Sequence, residues 1–597
     1  MKYFIIYIGF IFKLCFAKEP KTFSTNEEVI LYVNKVGPYY NPHETYHYYT
    51  LPVCRPPEVS FKSLTLGEVL DGDRMAKSIY KIKFRENLEK ATLCTLQLKA
   101  SDTKRLINAI EDLYYFEFVI DDIPIRGFIG NLEESKLLPH THKALLYTHH
   151  NIEIDYNQNN IIYGNILTTQ SDPINLMPYQ GKVLNITFTY SVHWISSPIL
   201  VKDRIKRIMK NNFFPVTLEI HWISITNSLI LVFLLMTFIM FIISRVLRRD
   251  FARYNNQTDS ELMNEEQDEK GWKIVHNDVF RPPNHKLIFC SIIGTGCQLV
   301  TISIGIMLMA LSNMFNVHNH GVINIAALML YSFTSWIAGF VSCRLHKMFQ
   351  NTQLMQESST NWVRVVNSTT SLFGIPLAFV WLLCNSVSVL YGTTHAMPIT
   401  TILELVLVWL VIGYPLTVTG GMLGKRTDAR VDSNGCRARN IAREIPTVVW
   451  YKSKYIYLLL GGFLPFSSIC IELYYIFSTL WGREHYNLYG VLFIIFFILL
   501  IVTICVAINL TYFQLVNEDY RWWWNTLQLA GCSGLFVFLY CIFHYFYRSK
   551  MSGFIQSIEY FSYSLLICYA FFLGLGAVSF ISSYYFIKFM YRNIKLD

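Results

Sequence analysis

Residues 223–244 read ISITNSLILVFLLMTFIMFIIS, 22 positions without a charge. As a helix this stretch is long enough to cross a hydrocarbon core of roughly 30 Å. Arg245, Arg248 and Arg249 follow it directly. Basic residues flank a span on its cytosolic side, so the chain before it is expected in a lumen or outside the cell. That part is polar, whereas nearly everything after the span is apolar.

Working outward, hydrophobic residues make up 52% of the 597-residue chain and charged residues 16%. Such a composition indicates a polytopic membrane protein rather than a row of soluble domains. Eight further apolar stretches, each free of Lys and Arg, lie within 287–586. Nine spans put the termini on opposite sides. Loops assigned to the cytosol carry 23 Lys and Arg, and the short loops assigned to the lumen carry 3. The asymmetry supports a lumenal N-terminus and a cytosolic C-terminus. It also accounts for most of the net charge of +9, which therefore does not indicate a nucleic-acid partner.

The expected organisation follows. Residues 1–17 form a secretory signal peptide, with Lys2 before a short apolar run and Cys15-Phe16-Ala17 at the cleavage site. Residues 18–220 form a lumenal β-rich, sandwich-like domain. Its apolar residues alternate with period two, as in Ile152-Glu153-Ile154-Asp155-Tyr156, and polar breakers suggest hairpins of an antiparallel sheet. One helix is expected at 103–114. The first transmembrane helix (221–244), a cytosolic loop (245–286), an eight-helix membrane region (287–586) and a cytosolic tail (587–597) complete the chain.

Of 13 cysteines, only Cys54 and Cys94 fall in the lumenal part after the leader. An oxidising compartment favours a disulfide between them, the alternative being two separate buried thiols. Asn185-Ile186-Thr187 is a glycosylation sequon on the lumenal side of the expected topology, with occlusion inside a strand as the alternative.

Several motifs resemble the transmembrane-9 superfamily, also called nonaspanins or the endomembrane protein 70 family. They include Asn34-Lys35-Val36-Gly37-Pro38-Tyr39-Tyr40-Asn41-Pro42-His43-Glu44-Thr45-Tyr46, His221-Trp222 at the first span, and His276-Asn277-Asp278-Val279-Phe280-Arg281-Pro282-Pro283. The most distinctive is Glu518-Asp519-Tyr520-Arg521-Trp522-Trp523-Trp524. The likeness runs almost from end to end, with Glu404 and Ser579 departing from the pattern. It implies a non-enzymatic Golgi and endosomal membrane protein that sorts or stabilises other membrane proteins and contacts their transmembrane segments. It also implies that the terminal Lys595-Leu596-Asp597, a Lys-x-Asp ending, is read by coat complex I for Golgi retention.

Glu472 and Glu404 are carboxylates inside predicted spans. Exposing one to lipid costs at least ~2.5 kcal/mol, so each is expected to face a partner helix or cavity or to lose its charge. A transporter or channel built on Glu472 is the alternative function. The motif at 518–524 is expected at the cytosolic interface, its tryptophans in the headgroup zone and its charged residues facing water or each other. A structural anchor is the simpler role, a lipid or partner surface the other. Glycine pairs such as Gly420 and Gly421 suit close helix packing, within the bundle or against a cargo helix. Lumenal histidines (His43, His47, His140, His142, His149, His150) lack recognisable ligand spacing for a metal. They are expected to be solvated or at strand edges, with pH sensing as the alternative. No catalytic motif and no cofactor are expected.

Overall fold

The period-two pattern folds into two packed sheets, and the apolar stretches into a helical bundle beneath them. The computed structural model describes residues 21–134, 142–168, 173–204, 207–208, 213–214, 216–217, 222–256, 272, 274–312, 321–352, 362–427, 443–447, 449–482, 485–486 and 489–591.

The principal strands are β1 (Leu31–Pro38), β2 (Tyr46–His47), β3 (Leu88–Leu98), β4 (Tyr114–Ile120), β5 (Ile123–Phe128), β6 (His149–Asn157), β7 (Asn160–Leu167) and β8 (Leu184–Ser196). One sheet has the order β2-β1-β4-β5, the other β7-β6-β8-β3. Val33, Phe116 and Phe118 of the first share one core with Ile152, Ile154, Ile186 and Phe188 of the second. Burying such side chains stabilises the sandwich by about 1.5–3 kcal/mol each before entropy is counted. Asp121 and Asp122 both take positive φ, making the two-residue turn of the β4–β5 hairpin.

Two expectations need correction. The second sheet is not wholly antiparallel, because β6 pairs with β8 in parallel. After the β6–β7 hairpin the chain crosses to the far side of β6 instead of turning back beside β7. The helix expected at 103–114 is Ala100–Glu111. Asp102 accepts the Lys99 N–H at its start, and Leu113, at φ 52°, ends it before β4.

Among the described residues, nine segments are long and apolar enough to cross a membrane. They are built on α1 (Trp222–Asn256), α2 (Lys286–Leu311), α3 (Val322–Thr352), α4 (Trp362–Tyr391), α5 (Ile399–Val408) with α6 (Tyr414–Arg426), α7 (Lys454–Leu480), α8 (Tyr489–Val516), α9 (Trp522–Gly531) with α10 (Ser533–Phe543), and α11 (Phe554–Tyr591). A π-helical turn, Trp409–Gly413, joins α5 to α6 just before Pro415. Proline lacks an N–H and crowds the preceding turn, which the wider turn accommodates.

The glycine clusters are filled by the chain's own helices. A Cβ on Gly420 would lie 2.0 Å from the Trp336 carbonyl oxygen, and one on Gly534 2.5 Å from that of Cys568. Ser579, a departure from the family pattern, is buried and donates to the Thr526 carbonyl at 2.7 Å.

Candidate functional site

The strap between β1 and β2 folds back on itself because Asn41 Nδ2 donates to Glu44 Oε2 at 2.9 Å. The same amide reaches the bundle, donating to the Ser552 carbonyl at 2.8 Å and accepting the Ser552 N–H at 3.0 Å. The His43 N–H donates to Gln556 Oε1 at 3.1 Å, and the Thr394 N–H to the Thr45 carbonyl at 2.8 Å. The strap therefore ties the β-domain to the start of α11 and to the loop between α4 and α5.

A second tie begins in the domain interior. Asn34 Nδ2 bridges Asp73 (2.8 Å) and Glu117 (3.0 Å), and Lys35 Nζ lies 3.1 Å from Asp73. Burial pulls the Lys35 ammonium down, but Asp73 and Glu117 outweigh it and hold it well above the usual lysine range. Arg74, next to Asp73, donates to the Ala396 carbonyl at 2.6 Å. Gly72, at φ 75°, lies under the His395 ring, where a side chain would meet it at 2.8 Å. Burial first, and the nearby His43, Lys35 and Arg74 second, hold His395 well below the ordinary histidine range.

Between these ties lies a cavity of about 500 Å³. Its polar wall is Glu559 at the head of α11, Ser388 and Asn385 on α4, His43, His395 and Asp71; Trp381, Trp481 and Tyr563 supply aromatic faces. Glu559 Oε1 accepts from Ser388 Oγ at 3.2 Å, and Oε2 lies 3.4 Å from His43 Nδ1. Two carboxylates, two imidazoles and aromatic faces suit a proton or a small polar or cationic guest. Among the described residues no group of three His, Cys, Asp or Glu is arranged to hold a metal ion.

Sequence reasoning named His43 but missed Glu559, His395 and Trp481. Glu559 carried the same signal as Glu404 and Glu472, a carboxylate at an apolar stretch, but stood at its edge. Glu472 is buried within the bundle, 3% exposed. Glu404 differs from Glu472 in its burial. It is exposed on the outer face of the span Ile399–Arg426, which is only 11% buried, and has no hydrogen-bond or ion-pair partner among the described residues.

In the motif at 518–524 it is the tryptophans that need correction. Trp522 and Trp523 are buried beside Phe580, not spread through a headgroup zone. Trp522 Nε1 donates to the Val279 carbonyl (2.8 Å) and Trp524 Nε1 to that of Asn284 (2.9 Å), clamping the 279–284 segment. Glu518 pairs with Arg443 at 3.0 Å and Asp519 with Arg521 at 3.1 Å, while Tyr520 is half-buried.

Cys54 and Cys94 are joined by a disulfide, with Cα atoms 5.9 Å apart. Asn185 is exposed on β8 opposite Gln97. His142 lies 2.9 Å from Glu111, and His149 bonds Thr189 and Ser191. His150 is buried against Tyr80 OH at 2.7 Å, contrary to a solvated or edge position. The leader 1–17, the loop stretch 257–270, His140, His221, Lys595 and Asp597 lie outside the described residues.

Residues 45–554 match the family described as Endomembrane protein 70. The chain is 50% identical over 580 residues to "Transmembrane 9 superfamily member 1" of Bos taurus, covering 96% of this chain and 94% of that protein. It is 39% identical over 576 residues to "Transmembrane 9 superfamily member 4" of Arabidopsis thaliana, covering 96% and 95%. It is 40% identical over 575 residues to "Putative phagocytic receptor 1b" of Dictyostelium discoideum, again covering 96% and 95%. No solved structure matches. With the family's motifs forming the strap that closes the cavity and its likeness spanning both domain and bundle, this chain belongs to the Endomembrane protein 70 family of transmembrane 9 superfamily proteins.

Proposed function

We propose that this protein is a sorting receptor for other membrane proteins in Golgi and endosomal membranes. Its β-domain lies in the lumen, and its Lys595-Leu596-Asp597 tail engages coat complex I from the cytosol. The observation that carries the reading is Glu404, exposed on the least buried span with no partner among the described residues. A carboxylate facing lipid is costly, and a transmembrane segment bringing a hydrogen-bond donor or a cation removes that cost. Leu403, Val406 and Leu407 beside it are exposed and apolar, as a helix-docking face requires. The name of the Dictyostelium discoideum relative also favours a receptor.

Proximity labelling from the full chain tests both halves. Glu404→Leu should lose membrane-protein neighbours while keeping the Golgi address. Lys595→Ala with Asp597→Ala should lose coat subunits and move toward endosomes or the surface. An unchanged set of neighbours in both variants overturns the reading.

A transporter is the second reading, favoured by the cavity. It would centre on Glu559 rather than Glu472, because Glu559 lines the cavity. Glu559→Gln should then abolish transport in reconstituted vesicles with trafficking intact.

A further inference from the structure

At the end of the bundle opposite the β-domain, the segment 281–284 and the starts of α7 and α9 enclose a second cavity, of about 400 Å³. Arg281, Lys454 and Arg521 line it. A smaller cavity of about 120 Å³ shares Lys454, Asp519, Arg521 and Asn525 with it and adds Lys452. The counter-charges are Asp519, 3.1 Å from Arg521, and Asp278, 2.6 Å from Arg281. Among the described lining residues and these two partners, four cations stand against two carboxylates, an excess of two positive charges.

The buried groups with unmet hydrogen-bonding capacity here are both donors. Trp523 lines the larger cavity and Gln514 the smaller, and each is 4% exposed. Neither Trp523 Nε1 nor Gln514 Nε2 has a hydrogen-bond partner among the described residues. A buried N–H without an acceptor costs about 1–3 kcal/mol, so a site that keeps two of them is shaped for an acceptor-rich guest. Lys454 opens α7 and Arg521 caps α9, and the positive ends of both helices add to the field. A phosphate monoester carries about −1.5 to −2 charges and three acceptor oxygens, matching both the charge excess and the donors.

The surroundings identify the carrier of that phosphate. Directly after Lys454, Tyr455, Leu459 and Phe463 follow at four-residue spacing on α7 and are all exposed. They form one apolar stripe running from the cavity rim along a membrane span, where acyl chains would lie. We propose that this cavity binds the phosphorylated headgroup of an anionic lipid, with a phosphoinositide as the fitting class. The motif at 518–524 then supplies a binding wall as well as an anchor.

The test uses the purified full-length protein in detergent, with lipid retention read by native mass spectrometry. Phosphatidylinositol 4-phosphate should be retained at least tenfold more than phosphatidylcholine, and Lys454→Gln with Arg521→Gln should erase that preference. Lys454→Arg should keep it. Equal retention of the two lipids overturns the proposal, as does a folded double variant that binds like wild type. Inorganic phosphate or soluble inositol phosphate binding as tightly as the lipid overturns the lipid assignment. Should the double variant fail to fold, a photoreactive phosphoinositide on the wild-type protein decides the matter. Crosslinks at 452–455 or 521–525 support the site, and crosslinks only elsewhere overturn it.

Discussion

His43 Nδ1 lies 3.4 Å from Glu559 Oε2, so a residue of the β-domain strap closes on a carboxylate at the head of the last span. The two are separated by more than five hundred positions in sequence, and their contact joins the two halves of the molecule. The His43 ring also packs on Trp481 at 5.0 Å and His395 at 5.6 Å, so disturbing the pair disturbs the cavity wall.

The first prediction follows from that contact. His43→Ala or Glu559→Gln should each weaken docking of the strap by about 1–2 kcal/mol, the order expected for a partly buried imidazole–carboxylate contact at 3.4 Å. Ser388 can still serve the glutamine amide, which keeps the second loss modest. Hydrogen exchange at Glu44 and Thr45 should accelerate by roughly five- to thirty-fold in either variant. In a double-mutant cycle the two changes should be less than additive. Fully additive effects would mean that the pair does not hold the strap.

Much of the architecture was legible because lipid imposes a crude rule: a span must be long, apolar and uncharged, and residues 223–244 obey it. Period-two alternation likewise marked the sandwich, since alternate residues of a strand face the core. The site was not legible in this way. His43, Ser388, His395, Trp481 and Glu559 come from five separate segments, and no local pattern brings them together. Glu404 and Glu472 show the same limit. Both are carboxylates in apolar helices, yet one is exposed and the other buried, because neighbouring helices decide which face is covered. Trp522 and Trp523 misled for a related reason, since tryptophan suits both an interface and a core.

The second prediction concerns acid. Burial first, then the neighbouring His149, pushes His150 down to about 4 from the ordinary histidine value near 6.5. The folded protein keeps this ring neutral while the unfolded chain protonates it, so its contribution is fully present above pH 6.5 and is lost as pH falls toward 4. The total loss is about 3 kcal/mol. His150→Gln, which cannot titrate, should flatten the fall in thermal midpoint between pH 6.5 and 4.5 when the full chain is melted in detergent. Identical slopes for variant and wild type would remove His150 as the source.

The third prediction separates packing glycines from incidental ones. A Cβ on Gly420 would stand 2.0 Å from the Trp336 carbonyl oxygen, a backbone atom that cannot rotate away. On Gly574 the nearest contact is Val300 Cγ2 at 3.4 Å, ordinary van der Waals distance. Both positions lie in membrane spans and both variants are alanine, so helix propensity and apolar area change alike. Gly420→Ala must push α6 away from α3, an overpacking cost of about 1–3 kcal/mol. Gly574→Ala should be neutral or slightly stabilising, since it removes chain entropy without a clash. The thermal midpoints of the two variants in detergent should therefore move apart, Gly420→Ala downward. Equal midpoints would mean that α6 and α3 separate at little cost, and the contact between their backbones would lose its standing as a determinant of the bundle.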